Sequence, residues 1–124
     1  MTDELQRIQA EITAIMDKLD GAFFIPVDQN KLSVIRTSII QLLEVAIVYL
    51  NKTYSSLTPW QKDHIVDAIN ALYWDWLHRA VNSIRLAIAN PSTISPDIKY
   101  KDEITKLTFD DLTKQILLVK KFLK

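Results

Sequence analysis

The chain has 124 residues and a mass of 14.3 kDa, the size of one domain. Fifteen basic residues balance fifteen acidic ones, hydrophobic residues make up 48%, and there is one glycine and no cysteine. With Gly21 alone, no dinucleotide fingerprint, P-loop or EF-hand turn can be written, and without cysteine there is no disulfide, thiol nucleophile or cysteine-ligated zinc or iron–sulfur cluster.

Zero net charge also disfavours a protein built to grip nucleic-acid phosphate, which calls for a basic face. Residues 1–20 carry five acids, wrong for a secretory or transit segment, so a cytoplasmic setting is expected. The longest apolar run, Ile39 to Leu50, holds Gln41 and Glu44 and is only twelve residues long, whereas a bilayer span needs about 20. It reads as a buried helix, and no membrane partner is expected.

Few strand-like alternations and long stretches of 3.6-residue period make the chain all-α, one domain over residues 1–124. The first helix is expected from about Asp3 to Leu19, opened by a capping-box pair, Asp3 and Gln6, and ended by a left-handed Gly21. Leu5, Ile8, Ile12, Ile15 and Leu19 form a narrow heptad seam. The connection from Ala22 to Val27 contains Phe23 and Phe24 and is too apolar for a free linker; it reads as a packed loop or a contact patch. A second helix starts at Asp28 and runs to about Tyr54, with apolar residues over nearly half its circumference and Arg36 on the apolar side. That arginine either reaches a carboxylate or the solvent, or is aimed into a pocket.

The third helix has the strongest start signal: Thr58 as cap, Pro59 in the first turn and Gln61 closing the capping box. Its pattern persists to about Ala89, where Asn90-Pro91 stops it. Ile65, Ile69, Leu72, Tyr73, Trp76, Ala80, Ile84 and Ala87 share a face, so Trp76 is expected in the core. A helix of this length could approach 45 Å, and such helices often kink. Pro91 to Pro96 is a loop, a short helix is expected near Asp102, and the last helix begins at Thr108. In that helix Phe109, Leu112, Ile116, Val119 and Leu123 form a second heptad seam, while Leu118 and Phe122 lie on the opposite side and need another partner surface.

The two terminal helices differ in charge. Residues 1–20 carry two bases against five acids, and residues 108–124 four lysines against two aspartates. Antiparallel pairing would bring Asp3 and Glu4 near Lys120, Lys121 and Lys124 in agreement with both helix dipoles, so these helices are expected to be neighbours, within one chain or between two.

The third helix carries a polar stripe of His64, Asp67, Asp75, His78, Asn82 and Arg85. The pairs His64/Asp67 and Asp75/His78 have a metal-compatible i, i+3 spacing, but each supplies at most two ligands and they lie about 16 Å apart. The plainer account is a solvated face, and no metal or cofactor is expected. Serine chemistry at Ser83 has no supporting spacing either, so the chain is read as a non-enzyme.

More informative is Trp74, which points away from the apolar face beside His78; it is either an exposed anchor for a partner or lies over a neighbouring helix or loop such as the Phe23-Phe24 segment. The expected architecture is thus a four-helix bundle, two long central helices and two shorter terminal ones, with the extra short helix near residue 102. The expected function is a non-catalytic helical interaction or assembly protein whose partner is another protein or a second copy of itself, in contact through Trp74, Phe23, Phe24, Leu118 and Phe122. The alternative is a bundle that holds a small anionic or aromatic ligand with Trp74, His78 and Arg85.

Overall fold

The computed structural model describes residues 3–22, 27–89 and 100–123, and all regular structure among them is helical. The helices in chain order are α1 (Asp3–Ala22), α2 (Gln29–Thr53), α3 (Pro59–Tyr73), α4 (Leu77–Ala87), α5 (Asp102–Thr105) and α6 (Phe109–Phe122). The four expected helices have become six because the short helix near residue 102 is present and the third is two separate helices.

In α1 the heptad seam is the buried face: Ile8, Ile12, Ile15 and Leu19 are covered, and Ala22 extends the same line. Gly21 does not end the helix and has no positive φ. Burial of Ala22 carries α1 past the glycine, and the Ala22 carbonyl then accepts a hydrogen bond from the Asp28 amide, 3.3 Å away. Asp28 caps α2 by accepting from the Lys31 amide.

Helix α2 is the centre of the packing and contacts α1, α4 and α6. Its buried residues run from Leu32 to Leu50 and span about 180° of the helix at 100° per residue. By length and apolar composition alone α2 could cross a bilayer, but half of its most apolar stretch is buried inside the fold, as in the core helix of a globular domain. Val34, Val45 and Val48 remain on its outer face.

The main departure from the sequence reading is the reversal at Trp74-Asp75-Trp76. The α3 and α4 helices fold back on each other as an antiparallel hairpin, the most extensively packed pair in the molecule. Gln61 in the first turn of α3 donates from Nε2 to the carbonyl of Ala87 in the last turn of α4 (3.3 Å). Midway, Asp67 accepts from Arg79 and Ser83. The facing surfaces are rich in small buried residues, Ala68 and Ala71 on α3 and Ala80, Ser83 and Ala87 on α4, which let two backbones approach closely. Burial explains the reversal: one straight helix over these residues would be about 43 Å long, and α2, about 37 Å, cannot cover that stripe alone. Folded in half, the stripe covers itself. Trp76, expected in the core, is carried out into the turn and is 52% exposed.

The capping box expected of Thr58 with Gln61 is present, and Thr108, expected to open the last helix, forms another with Asp111, whereas Asp3 is the first residue of α1 itself rather than a cap outside it. Helix α6 buries Leu112, Ile116 and Val119 against α2 and α3. The expected pairing of the terminal helices is not what the chain does within itself. Helix α1 packs on α2 and α4, and α6 packs on α2 and α3. Each terminal helix instead pairs a charge with α2: Glu4 lies 3.7 Å from Lys52, and Lys120 lies 3.3 Å from Glu44. The apolar half of α2 is wide enough to separate the two narrow seams.

Candidate partner-binding surface

The α3–α4 turn, the end of α1, the start of α2 and the end of α6 meet at one end of the molecule, as the contacts Arg36–Asp75, Asp20–His78 and Tyr73–Phe122 require. The turn is tight. The amide of Asp75 donates to the Leu72 carbonyl and that of Trp76 to the Ala71 carbonyl, 3.2 and 2.8 Å. Asp75 has φ 60°, in the left-handed region that disfavours a side chain, although aspartate tolerates it better than most residues. Its carboxylate is held from another helix: Nε and Nη2 of Arg36 both lie 2.8 Å from Oδ1. Arg36 thus forms the carboxylate pair the sequence allowed, and it also lines a cleft between α2 and the end of α6.

This turn presents the aromatics. Trp74 is 70% exposed, and its ring stacks on Trp76 with centroids 6.0 Å apart and planes 22° apart. The guanidinium of Arg79 lies 5.5 Å from the Trp76 ring centroid, a cation–π distance, while its nitrogens also bond Asp67. Beside them Tyr73 meets Phe122, centroids 5.0 Å apart, and Leu118 follows one helical turn below Phe122. Phe122 and Leu118 are 64% and 60% exposed. The result is an aromatic and apolar surface edged by Arg36, Asp75, Asp20, His78, Arg79 and Asp67, an apolar centre with a charged rim of both signs.

Of the residues singled out in the sequence, Trp74, Leu118 and Phe122 share this end. His78 is also there and pairs with Asp20 at 3.1 Å. Arg85 is not: it lies near the end of α4, about 10 Å beyond His78 along the helix, where its guanidinium donates to Asn82. The trio of Trp74, His78 and Arg85 is therefore not gathered around one ligand position. Phe23 and Phe24 lie outside the described residues. The sequence reading missed Tyr73 and Trp76 as surface residues; the crowding of three aromatics in Tyr73-Trp74-Asp75-Trp76 was the available signal.

Four of the six residues of the polar stripe, Asp75, His78, Asn82 and Arg85, are exposed, as a solvated face requires, while His64 and Asp67 are partly buried. Asp67 accepts from Arg79 Nη2 at 2.7 Å and from Ser83 Oγ at 2.5 Å, and it is partly buried. The Arg79 hydrogen bond, with help from Ser83, holds its carboxyl below the usual carboxylate range, outweighing partial burial. Ser83, itself buried, has its hydroxyl engaged by that carboxylate. His64 lies edge-on to Trp60, centroids 4.5 Å apart, and burial pushes its pKa down against the opposing pull of Asp63 and Asp67. Among the described residues no three histidine, aspartate or glutamate side chains gather as a metal site.

A depressed aspartate has a defined pH signature. The stabilisation from Asp67 is complete above its ordinary titration range and is lost as pH falls through that range toward the lower folded value. Asp67→Asn is therefore expected to lower stability by about 1 kcal/mol near neutrality, a modest figure because Arg79 is more than half exposed, and to flatten the acid limb of the stability curve. Urea titrations at a series of pH values from neutrality into acid would check both effects.

Clefts adjoin the aromatic end as well as lying away from it: one of about 280 Å³ is lined by Arg36, Ile40, Lys120 and Leu123. A second of about 490 Å³ lies between α1 and α2, lined by Glu4, Arg7, Glu11, Gln41 and Val45 among others, and another of about 460 Å³ lies near Lys18, Gly21 and Lys31. Comparison of the chain with protein-family models, curated proteins and solved structures finds no match.

Proposed function

We propose that this is a non-catalytic interaction protein that associates with a second copy of itself through the aromatic end. The observation that carries the reading is the exposed, stacked Trp74–Trp76 pair on a turn fixed by the Asp75–Arg36 bond. Rigid, solvent-facing tryptophans lose little conformational freedom on binding and are the commonest type of interface anchor. The rim supports a like partner. It carries acids and bases in close alternation, so a two-fold arrangement can set Arg36 and Arg79 of one copy against Asp20 and Asp75 of the other. Zero net charge adds no long-range repulsion between copies.

The test is light scattering over a wide concentration range, on the wild type and on the Trp74→Ala/Trp76→Ala variant. The expected result is a concentration-dependent dimer in the wild type, weakened tenfold or more in the variant. A wild type that stays monomeric throughout, or a dimer indifferent to the double substitution, would overturn the proposal. Quenching of tryptophan emission by small aromatic anions, without any change in mass, would favour the ligand-binding alternative instead.

A further inference from the structure

We propose that the α3–α4 turn is also a hinge, and that two copies of the chain can exchange α4, α5 and α6 by straightening it. This exchange does not rest on the aromatic contact proposed above; it removes the turn that displays Trp74 and Trp76, so the two modes of association are mutually exclusive.

Three independent observations converge. The first lies in the sequence. Between Trp60 and Ala89 there is neither proline nor glycine, and Ile65, Ile69, Leu72, Trp76, Ala80, Ile84 and Ala87 keep one helical phase across the turn. Nothing in the local chemistry requires a break there, and an α3–α4 rod is a regular alternative. The second is the turn itself. Three residues join two antiparallel helices, and the middle one is a non-glycine residue at φ 60°. A short hinge held in a disfavoured conformation is the arrangement that invites exchange between copies. Its side-chain anchor, Arg36, comes from α2, and in the straight form Asp75 gains a new partner, because Arg79 then sits four residues on along the same helix.

The third is the division of the packing. The principal packed partners of α4 are α1, α2 and α3; those of α6 are α2 and α3; and that of α5 is α3. The extensive contacts all join residues before the turn to residues after it, or α1 to α2. The segment after the turn can therefore leave its own chain and dock on a second one, recreating the same buried surfaces, including the Gln61–Ala87 and Asp67–Ser83 bonds, now between chains. Only the turn changes conformation. In the closed monomer it bears the strain of Asp75; in the exchanged dimer that strain is gone and a single helix of about 43 Å connects the two lobes.

The experiment combines hinge variants with a cross-chain trap. Asp75→Ala favours helix and disfavours a positive φ, whereas Asp75→Gly does the reverse. After refolding at high concentration, size exclusion with light scattering is expected to show a dimer that survives dilution. Its fraction should rise about tenfold in Asp75→Ala and fall below wild type in Asp75→Gly. The chain has no cysteine, so chains carrying only Asp67→Cys can be co-refolded with chains carrying only Ser83→Cys. A disulfide between the two chains in the dimer fraction is the expected result, since an aromatic-end dimer leaves these positions on separate hairpins. The doubly substituted chain, which should close within the monomer, verifies that the pair can bond.

Arg36→Gln, which releases the anchor without touching the turn, carries the same expectation should Asp75→Ala not fold. A dimer fraction that does not respond to any hinge variant, or a dimer with no cross-chain disulfide, would overturn the exchange. Trp74→Ala/Trp76→Ala separates the two proposals: it should abolish the aromatic contact and leave the exchanged dimer intact.

Discussion

Replacing Leu43 with alanine is expected to destabilise the protein by about 2–5 kcal/mol, against a total for a domain of this size of about 5–15 kcal/mol. Leu43 is fully buried at the middle of α2, the helix that packs against α1, α4 and α6. Truncation there removes the transfer energy of three carbon atoms and leaves a cavity that three neighbouring helices would have to collapse around. The corresponding fall in melting temperature is on the order of 10 °C. Val45, two residues away on the outer face, supplies the control: Val45→Ala should change stability by less than about 0.5 kcal/mol. Thermal unfolding followed by calorimetry measures both, and similar effects at the two positions would contradict the placement of α2.

The second large effect is expected at Gln61, whose side chain is fully buried although polar. Its Oε1 accepts from the Thr58 amide at 3.0 Å and its Nε2 donates to the Ala87 carbonyl at 3.3 Å. One side chain thus completes the cap of α3 and ties the far end of the α3–α4 hairpin. In Gln61→Ala the Ala87 carbonyl and the Thr58 amide lose this partner and a cavity opens beside them, at a combined cost of about 2–4 kcal/mol. A urea titration should show a lower midpoint with an unchanged slope; a change in slope would mean instead that the hairpin has opened before global unfolding.

The features that could be read from the sequence are those set by nearby residues. Thr58 and Gln61, Thr108 and Asp111, and Asp28 announce their helix starts because a cap involves residues only three positions apart. The seam Ile8, Ile12, Ile15, Leu19 is legible for the same reason: periodicity fixes which face is buried. The α3–α4 reversal was not legible. Asp75 is an ordinary residue in an ordinary phase, and what selects the turn is Arg36, thirty-nine positions earlier, together with the mutual fit of Ala68, Ala71, Ala80 and Ala87. Long-range packing overrode a continuous helical pattern. Missing that reversal also misplaced Trp76 in the core and Asp67 on a solvated face. The terminal helices were misjudged differently: their charges were read correctly, but α2 offered Lys52 and Glu44 as nearer partners. Trp74, Leu118 and Phe122 were identifiable because each falls on the wrong side of its own helix to be buried.

The stacked indoles at the turn also bear on how this molecule would look to polarised light. Two tryptophan rings at 6.0 Å in near-parallel planes have transition dipoles close enough to couple. Their exciton couplet would be superimposed on the far-ultraviolet circular dichroism of the helices, so a helix content taken from that spectrum alone would be biased. The couplet is also a label-free reporter of the Trp74–Trp76 geometry, and its amplitude would follow that pair separately from the signal of the backbone.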